Sequence, residues 1–237
     1  MNNVNLFYSE NLDVEQAYII TVKGNPESEN YSKRCQESCD KVGMKYTVWD
    51  AFNGIDGPIQ SPDHLKDDMF FRIFKITDHY MTRGEVACAL SHISLWYECV
   101  KLDRPIVILE HDAIMTRKFT MFNAYNSIVY LGGAEWALHG WPIYPLPPQA
   151  SDGPNTKFIC RAHAYAIDPK IAKNLLAHVI KMGICSPLDI MIRVDLFNVT
   201  HLGPYAYDLN TNSTNDTTIK NRPTEGRTTK RNEGLAW

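Results

Sequence analysis

The stretch RPIVILEHDAIM, Arg104–Met115, decides how this chain is read. Its four consecutive apolar residues, Ile106–Leu109, have the length and β-branching of a strand buried on both faces. They run straight into Glu110, His111 and Asp112, three adjacent groups that can hold a charge or a metal. On local grounds a solvated strand end and a reactive site weigh about equally. The preceding segment shifts that balance. In GEVACALSHISLWYECVK, Gly84–Lys101, the residues Val86, Leu90, Ile93 and Val100 recur at helical spacing, which predicts an amphipathic helix. A helix therefore feeds a strand whose carboxyl end carries acids and an imidazole. In open α/β sheets, ligands bind outside the carboxyl ends of strands.

Working outward, Ala17–Val22 (AYIITV) reads as a strand and KGNPESEN as a loop. Asn30–Val42 reads as a helix stopped by Gly43, and KYTVWDAF as a second strand. Strand, helix, strand is a βαβ unit and implies a parallel sheet. Residues 53–64 are rich in turn formers, and residues 64–82 show no clear pattern. On the far side, residues 130–157 are crowded with Gly, Pro and aromatics and read as a long irregular loop, a length that is uncommon unless functional. FICRAHAYAI, residues 158–167, returns to a strand. In DPKIAKNLLAHVIKM, residues 168–182, Asp168 caps a helix, Pro169 takes its first position and Gly183 ends it. A further helix is expected from Ser186. The expected organisation is one domain over residues 1–207, then a polar tail, 208–237. Within that tail Lys220–Arg231 holds five basic residues against one Glu.

Composition excludes some classes. Hydrophobic residues make up 44% and charged residues 22%, with a net charge of -3. These are ordinary values for a globular protein and argue against a generic polyanion binder. No apolar run reaches the roughly 20 residues of a membrane-spanning helix. The first residues show no basic segment followed by an apolar core, so a cytoplasmic location is expected. The six cysteines are scattered, and free thiols are expected. The chain has no Walker A motif, no G-x-G-x-x-G after a strand and no G-x-S-x-G.

Several residues stand out as candidates for chemistry. The oxygens of Glu110 and Asp112 and the nitrogen of His111 suit a divalent cation, Mn²⁺ or Mg²⁺. Glu85 and His92, seven apart, share a helix face flanked by Ser91. Glu85 equally suits the helix dipole and His92 a structural role. Asp189 falls in a first helical turn, where it either complements the dipole or takes a proton from an attacking hydroxyl. His201 is a lone histidine before a Gly-Pro turn; an ordinary role is favoured, a distant metal ligand being the alternative. Trp136, His139, Trp141 and Tyr144 offer aromatic faces for a sugar or a base, or for core packing.

The combined pattern TRGEVACALSHISLWYECVKLDRPIVILEHDAIM, residues 82–115, resembles glycosyltransferase family 25, which includes lipooligosaccharide and collagen galactosyltransferases. The family pattern is GE-x-G-C-x-x-SH on a helix, then LEDD at a strand end. AYIITVKGNPESENYSKRCQESCDKVGMKYTVWDAFNG, residues 17–54, resembles its opening strand, helix and DA-x-x-G stretch. The resemblance implies an α/β fold of GT-A type, Rossmann-like, with a mostly parallel central sheet and helices on both faces. It implies a nucleotide-sugar donor, a UDP-sugar first, and transfer with inversion. It also implies a divalent cation, Mn²⁺ ahead of Mg²⁺, held by Asp112, His111 and His201. Thr21, Lys23, Arg34, Glu85, Ser91, His92 and His111 would lie on the donor side, and Trp141, Tyr144 and His163 on the acceptor side. Asp189 and Glu110 would be the catalytic carboxylates. His111 stands where the family has a second acid, which implies metal binding that weakens as pH falls through about 6.5. The acceptor that the resemblance implies first is a lipooligosaccharide or other glycan. The alternatives are hydroxymethylated pyrimidine in DNA, for which the basic tail speaks, and a non-catalytic module that binds nucleotide sugars or glycans. A nucleotidyltransferase ranks last.

Overall fold

The computed structural model describes residues 14–55, 57–77, 81–120, 127–132, 144–145, 159 and 162–208. Strand β1, Ala17–Thr21, leads into helix α1, Pro26–Val42, and strand β2, Tyr46–Asp50. A 3-10 turn over Met69–Ile73 fills part of the stretch that had no clear pattern. Helix α2, Arg83–Leu102, precedes strand β3, Ile106–Glu110, and the short β4, Ala113–Met115. Then come β5, Ile128–Gly132, β6, Tyr144–Pro145, and β7, Ala164–Ile167. The described chain closes with α3, Pro169–Met182, the single turn α4, Leu188–Met191, and β8, Val199–Asp208.

These strands form one sheet in the order β2-β1-β3-β7-β5-β8-β4, with β6 paired to β8. The pairs β1–β2, β1–β3 and β5–β8 are parallel, and the other four are antiparallel. Five strands (β1, β2, β3, β5 and β8) therefore point one way, and three run against them. The Rossmann-like α/β layout expected from the sequence is present, with its parallel half at the β2-β1-β3 end.

Strand alternation sorts the core into two layers. Tyr18, Ile20, Ile106, Ile108, Tyr165 and Ile167 pack on one face with Leu90, Ile93 and Trp96 of α2 and Leu175 of α3. Ala17, Ile19, Val107, Leu109, Ala164 and Ala166 pack on the other face with Cys35 and Cys39 of α1. Helices thus cover both faces, and β3 is buried from both sides, as its unbroken apolar run requires. The five cysteines among the described residues are free thiols.

Four element boundaries differ from the sequence reading. Strand β7, expected over residues 158–167, spans Ala164–Ile167 among the described residues. Helix α1 begins at Pro26 rather than near Asn30, because Asn25 caps it through Ser28 N–H and Pro26 takes the first position. What looked like loop composition is a helix start. Tyr130–Gly132, read as the opening of the long loop, complete the buried strand β5. The helix expected from Ser186 is one turn that stops at Met191. Of that long loop, residues 133–143 and 146–157 lie outside the described residues, as does the tail beyond Asp208.

Candidate functional site

Two helix caps and two loops bring the site together. Thr82 caps α2 in a capping box: its hydroxyl accepts Glu85 N–H, and the Glu85 carboxylate accepts Thr82 N–H at 2.9 Å. That fixes the first turn of α2 against the loop after β2. There Gly54 lies so close that an added Cβ would sit 2.4 Å from the Arg83 carbonyl oxygen and 2.9 Å from Ala87 Cβ. This close approach is the physical reason for a glycine at the end of the DA-x-x-G stretch. Ser91 clamps the same loop by accepting Phe52 N–H at 2.9 Å while donating to the Ala87 carbonyl.

Between this loop, α2 and the ends of β1 and β3 opens a cleft. Ile20, Val22, Phe52, Gly54, Ala87, Cys88, Ser91 and His92 line it together with Glu110, His111 and Asp112. It lies at the carboxyl ends of parallel strands, where the fold class places ligands. The strand-end tripeptide is therefore not a solvated surface run.

Glu110 and His111 leave β3 toward different helices. Glu110 continues the Ile106–Ile108 side toward α2. Its Oε1 is 3.2 Å from His92 Nε2, and it accepts a weak hydrogen bond from the Cys88 thiol at 3.7 Å. His111 turns toward α1, where its Nδ1 is 3.1 Å from Ser28 Oγ and its ring stacks on Tyr31 at 5.8 Å and 10°. Ser28 Oγ also accepts Val22 N–H at 2.9 Å, so the imidazole is tied to the end of β1 as well. Asp112 lines the cleft with its Oδ1 buried.

Burial sets the ionisation of these groups. It pushes His92 down to about 3, against the upward pull of the Asp189 carboxylate. Burial also pushes His111 down to about 4, against Glu27 and Asp208. Both imidazoles are neutral at pH 7, and the loss of the His111 lone pair expected near pH 6.5 moves down to about 4. The Cys88 thiol is pushed well up, first by burial, then by Glu110 and Asp189.

A metal can be considered at two places. Cys88, His92 and Glu110 offer ligand atoms within 4.8 Å of one another. That thiol holds its proton, however, and both His92 nitrogens are engaged, Nε2 by Glu110 and Nδ1 by Tyr165 at 2.8 Å. The trio is better described as a hydrogen-bonded cluster. At the strand tip, Asp112 supplies a carboxylate and His111 an imidazole whose Nδ1 is engaged by Ser28, groups of the oxygen and nitrogen type that a divalent cation takes.

The remaining sequence candidates fall in several places. Asp189 does not line the cleft, but its charge acts on both Cys88 and His92 from the first turn of α4. Thr21 is buried and donates to Ser32 Oγ at 2.8 Å. Lys23 is exposed and pairs with Asp50 at 3.7 Å. Arg34 lies on the exposed side of α1, and the Glu85 carboxylate serves the cap. His163 is 1% exposed with its ring against Tyr130, and its carbonyl accepts Glu110 N–H at 2.9 Å. The backbones of Tyr144 and His201 face each other in the β6–β8 ladder, while Trp136, His139 and Trp141 lie outside the described residues. Sequence reasoning missed Ser28, Tyr31, Cys88, Trp96 and Tyr165. Trp96 shares a helix face with His92 at i, i+4, the one signal that could have drawn it in.

A family model described as glycosyltransferase family 25 (LPS biosynthesis protein) matches residues 15–136. Over 107 residues the chain is 35% identical to a procollagen lysyl hydroxylase and glycosyltransferase of Acanthamoeba polyphaga mimivirus. That alignment takes in 40% of this chain and 12% of the viral protein, so the chain spans a small part of that relative's length. A solved structure described as a glycosyltransferase involved in the glycosylation of the major capsid of PBCV-1 overlaps at a TM-score of 0.32 and 11% identity. It covers 69% of this chain and 66% of that one, too loose an overlap to bear on the site.

Proposed function

We propose, for a chain that belongs to glycosyltransferase family 25, that the cleft at the tip of β3 transfers a sugar from a nucleoside diphosphate donor to an acceptor hydroxyl. The observation that carries this reading is convergence. Ser91 and His92 of α2, Glu110 of β3, and His111 and Asp112 of the turn after it meet around one cavity at the carboxyl ends of parallel strands. The glycine loop after β2 closes its side.

In this reading the acceptor oxygen bonds to the anomeric carbon as the bond from that carbon to the phosphate oxygen breaks. The nucleoside diphosphate leaves, and the acceptor proton passes to a carboxylate. Asp189, which lies outside the cleft lining and whose charge reaches Cys88 and His92, is the first candidate for that base, and the outcome is inversion. The role requires Asp189 to come within hydrogen-bond reach of the acceptor hydroxyl when substrate binds. Glu110, held by His92 and Cys88, orients the sugar. A divalent cation, Mn²⁺ ahead of Mg²⁺, would be held by Asp112 and Nε2 of His111, with His201 as a third candidate; the chemistry it supplies is neutralisation of charge on the departing diphosphate. A UDP-sugar is the first donor to test, and a glycan hydroxyl the first acceptor.

The deciding experiment is a panel of nucleotide sugars with and without Mn²⁺, read as release of free nucleoside diphosphate, with mass spectrometry of glycan and modified-DNA acceptors. Release with a donor, enhanced by an acceptor, supports the reading. Saturable donor binding with no turnover under any condition overturns it in favour of a binding module. Retention at the anomeric carbon, seen by NMR of the product, removes the role given to Asp189.

A further inference from the structure

Beneath the cleft a row of hydrogen bonds runs through the core and ends at Glu110. Trp96 Nε1–H donates to the Tyr165 hydroxyl oxygen at 2.9 Å. That oxygen is 2.8 Å from His92 Nδ1, and His92 Nε2 is 3.2 Å from Glu110 Oε1. Trp96, Tyr165 and His92 are each 0% exposed. Strand register builds the row: Tyr165 on β7 pairs with Ile108 of β3, one side-chain step back on the face that Glu110 continues.

The direction of the row follows from what each group can do. An indole N–H only donates, so the Tyr165 oxygen must accept from Trp96. The Tyr165 proton then needs an acceptor, and His92 Nδ1 lies in range. With Nδ1 accepting, the single proton of a neutral imidazole sits on Nε2, facing Glu110. The reverse tautomer would turn a nitrogen lone pair toward a carboxylate oxygen and leave the buried phenol proton without a place, a costly combination in a dry core.

We propose that Tyr165 and Trp96 are positioning residues that lock His92 as its Nε2–H tautomer and, through it, fix the orientation of the Glu110 carboxylate at the cleft. An indole at the far end of the row, about three side chains away, thus governs the group that meets the substrate. The same logic explains why both nitrogens of a fully buried histidine are satisfied without a metal. Its kinetic consequence rests on the transferase reading, while the tautomer itself does not.

Two measurements on the full chain test it. In ¹⁵N-histidine NMR at pH 7, His92 should show the neutral Nε2–H pattern, and Tyr165→Phe should convert it to a mixture. In steady-state transfer, Tyr165→Phe should lower kcat about 10- to 100-fold, as loss of an orienting partner commonly does, while donor KM changes less than about threefold. Trp96→Phe should cost less, because the two inner links remain. His92→Gln should retain more activity than His92→Leu, since an amide can accept from Tyr165 and donate to Glu110. An Nδ1–H tautomer in the unsubstituted protein overturns the proposal whether or not any donor is turned over. So does a Tyr165→Phe protein with unchanged tautomer and kcat. A correct tautomer that responds to Tyr165→Phe, in a protein that turns over no donor, overturns the transferase reading and leaves the lock standing.

Discussion

The two sides of the β3 tip are built on different principles. On the α2 side, Glu110 meets His92, Tyr165 and Trp96, three fully buried side chains joined in a single row. On the α1 side, His111 meets Ser28 and Tyr31 at the start of a helix, beside the exposed Lys23–Gly24 loop. The first side is held by core packing, where every polar atom must find a partner. The second is held by a cap and a stacked ring, which opens at lower cost. The α2 side therefore suits a group needing fixed orientation, and the α1 side suits one that must admit and release a ligand.

Substitutions can break or sharpen that contrast. The largest effect is expected at Asp189, whose charge already reaches Cys88 and His92. Asp189→Asn should lower kcat of transfer by about 10²- to 10⁴-fold, the usual range for a general base, with thermal stability unchanged. A full-rate Asn variant would move the chemistry elsewhere. Gly54→Ala comes next. Its Cβ would strike the Arg83 carbonyl, and a clash of this kind costs about 1–3 kcal/mol. Urea titration should show that loss together with a raised donor KM; an unperturbed midpoint would mean the loop does not press on α2.

Acid should expose the buried histidine of the α2 side. His92 stays neutral in the fold down to about 3, whereas in the unfolded chain it takes a proton near pH 6.5. Its contribution to stability is thus complete above pH 6.5 and is lost as pH falls toward 3, at up to about 1.4 kcal/mol per pH unit. Denaturant midpoints measured from pH 7 to 4 should fall more steeply for the unsubstituted protein than for His92→Gln. Equal slopes would show that His92 is not held neutral by its burial. The smallest effect belongs to the α1 side. Asn25→Ala removes the cap that seats Ser28 and should cost about 1 kcal/mol. It should shift donor KM a few-fold and leave kcat alone; a kcat loss exceeding that of Tyr165→Phe would reverse the contrast drawn between the sides.

Legibility followed the range of the interactions. Helix α3 could be read to the residue, because Asp168, Pro169 and Gly183 act within a few residues of the ends they set. Strand β3 and the carboxyl-end placement of Glu110, His111 and Asp112 were legible from one apolar run and the helix before it. Strand β5 was not, because IVYLG is short and lies beside a Gly- and Pro-rich stretch that outweighed it. The cap at Asn25 was hidden by the loop composition around it. Glu85 looked like a donor contact and serves the capping box, a pairing its spacing from Thr82 already allowed.

By itself the sequence determined the strand–helix–strand opening, helices α2 and α3, the buried character of β3 and the identity of the groups at its tip, since periodicity and capping are local properties of the chain. Only the tertiary structure decided which partner each of those groups would meet. Residues 92 and 165 are 73 apart in sequence, and 28 and 111 are 83 apart. No local pattern encodes those meetings, because they follow from sheet order and from which face of β3 each helix covers.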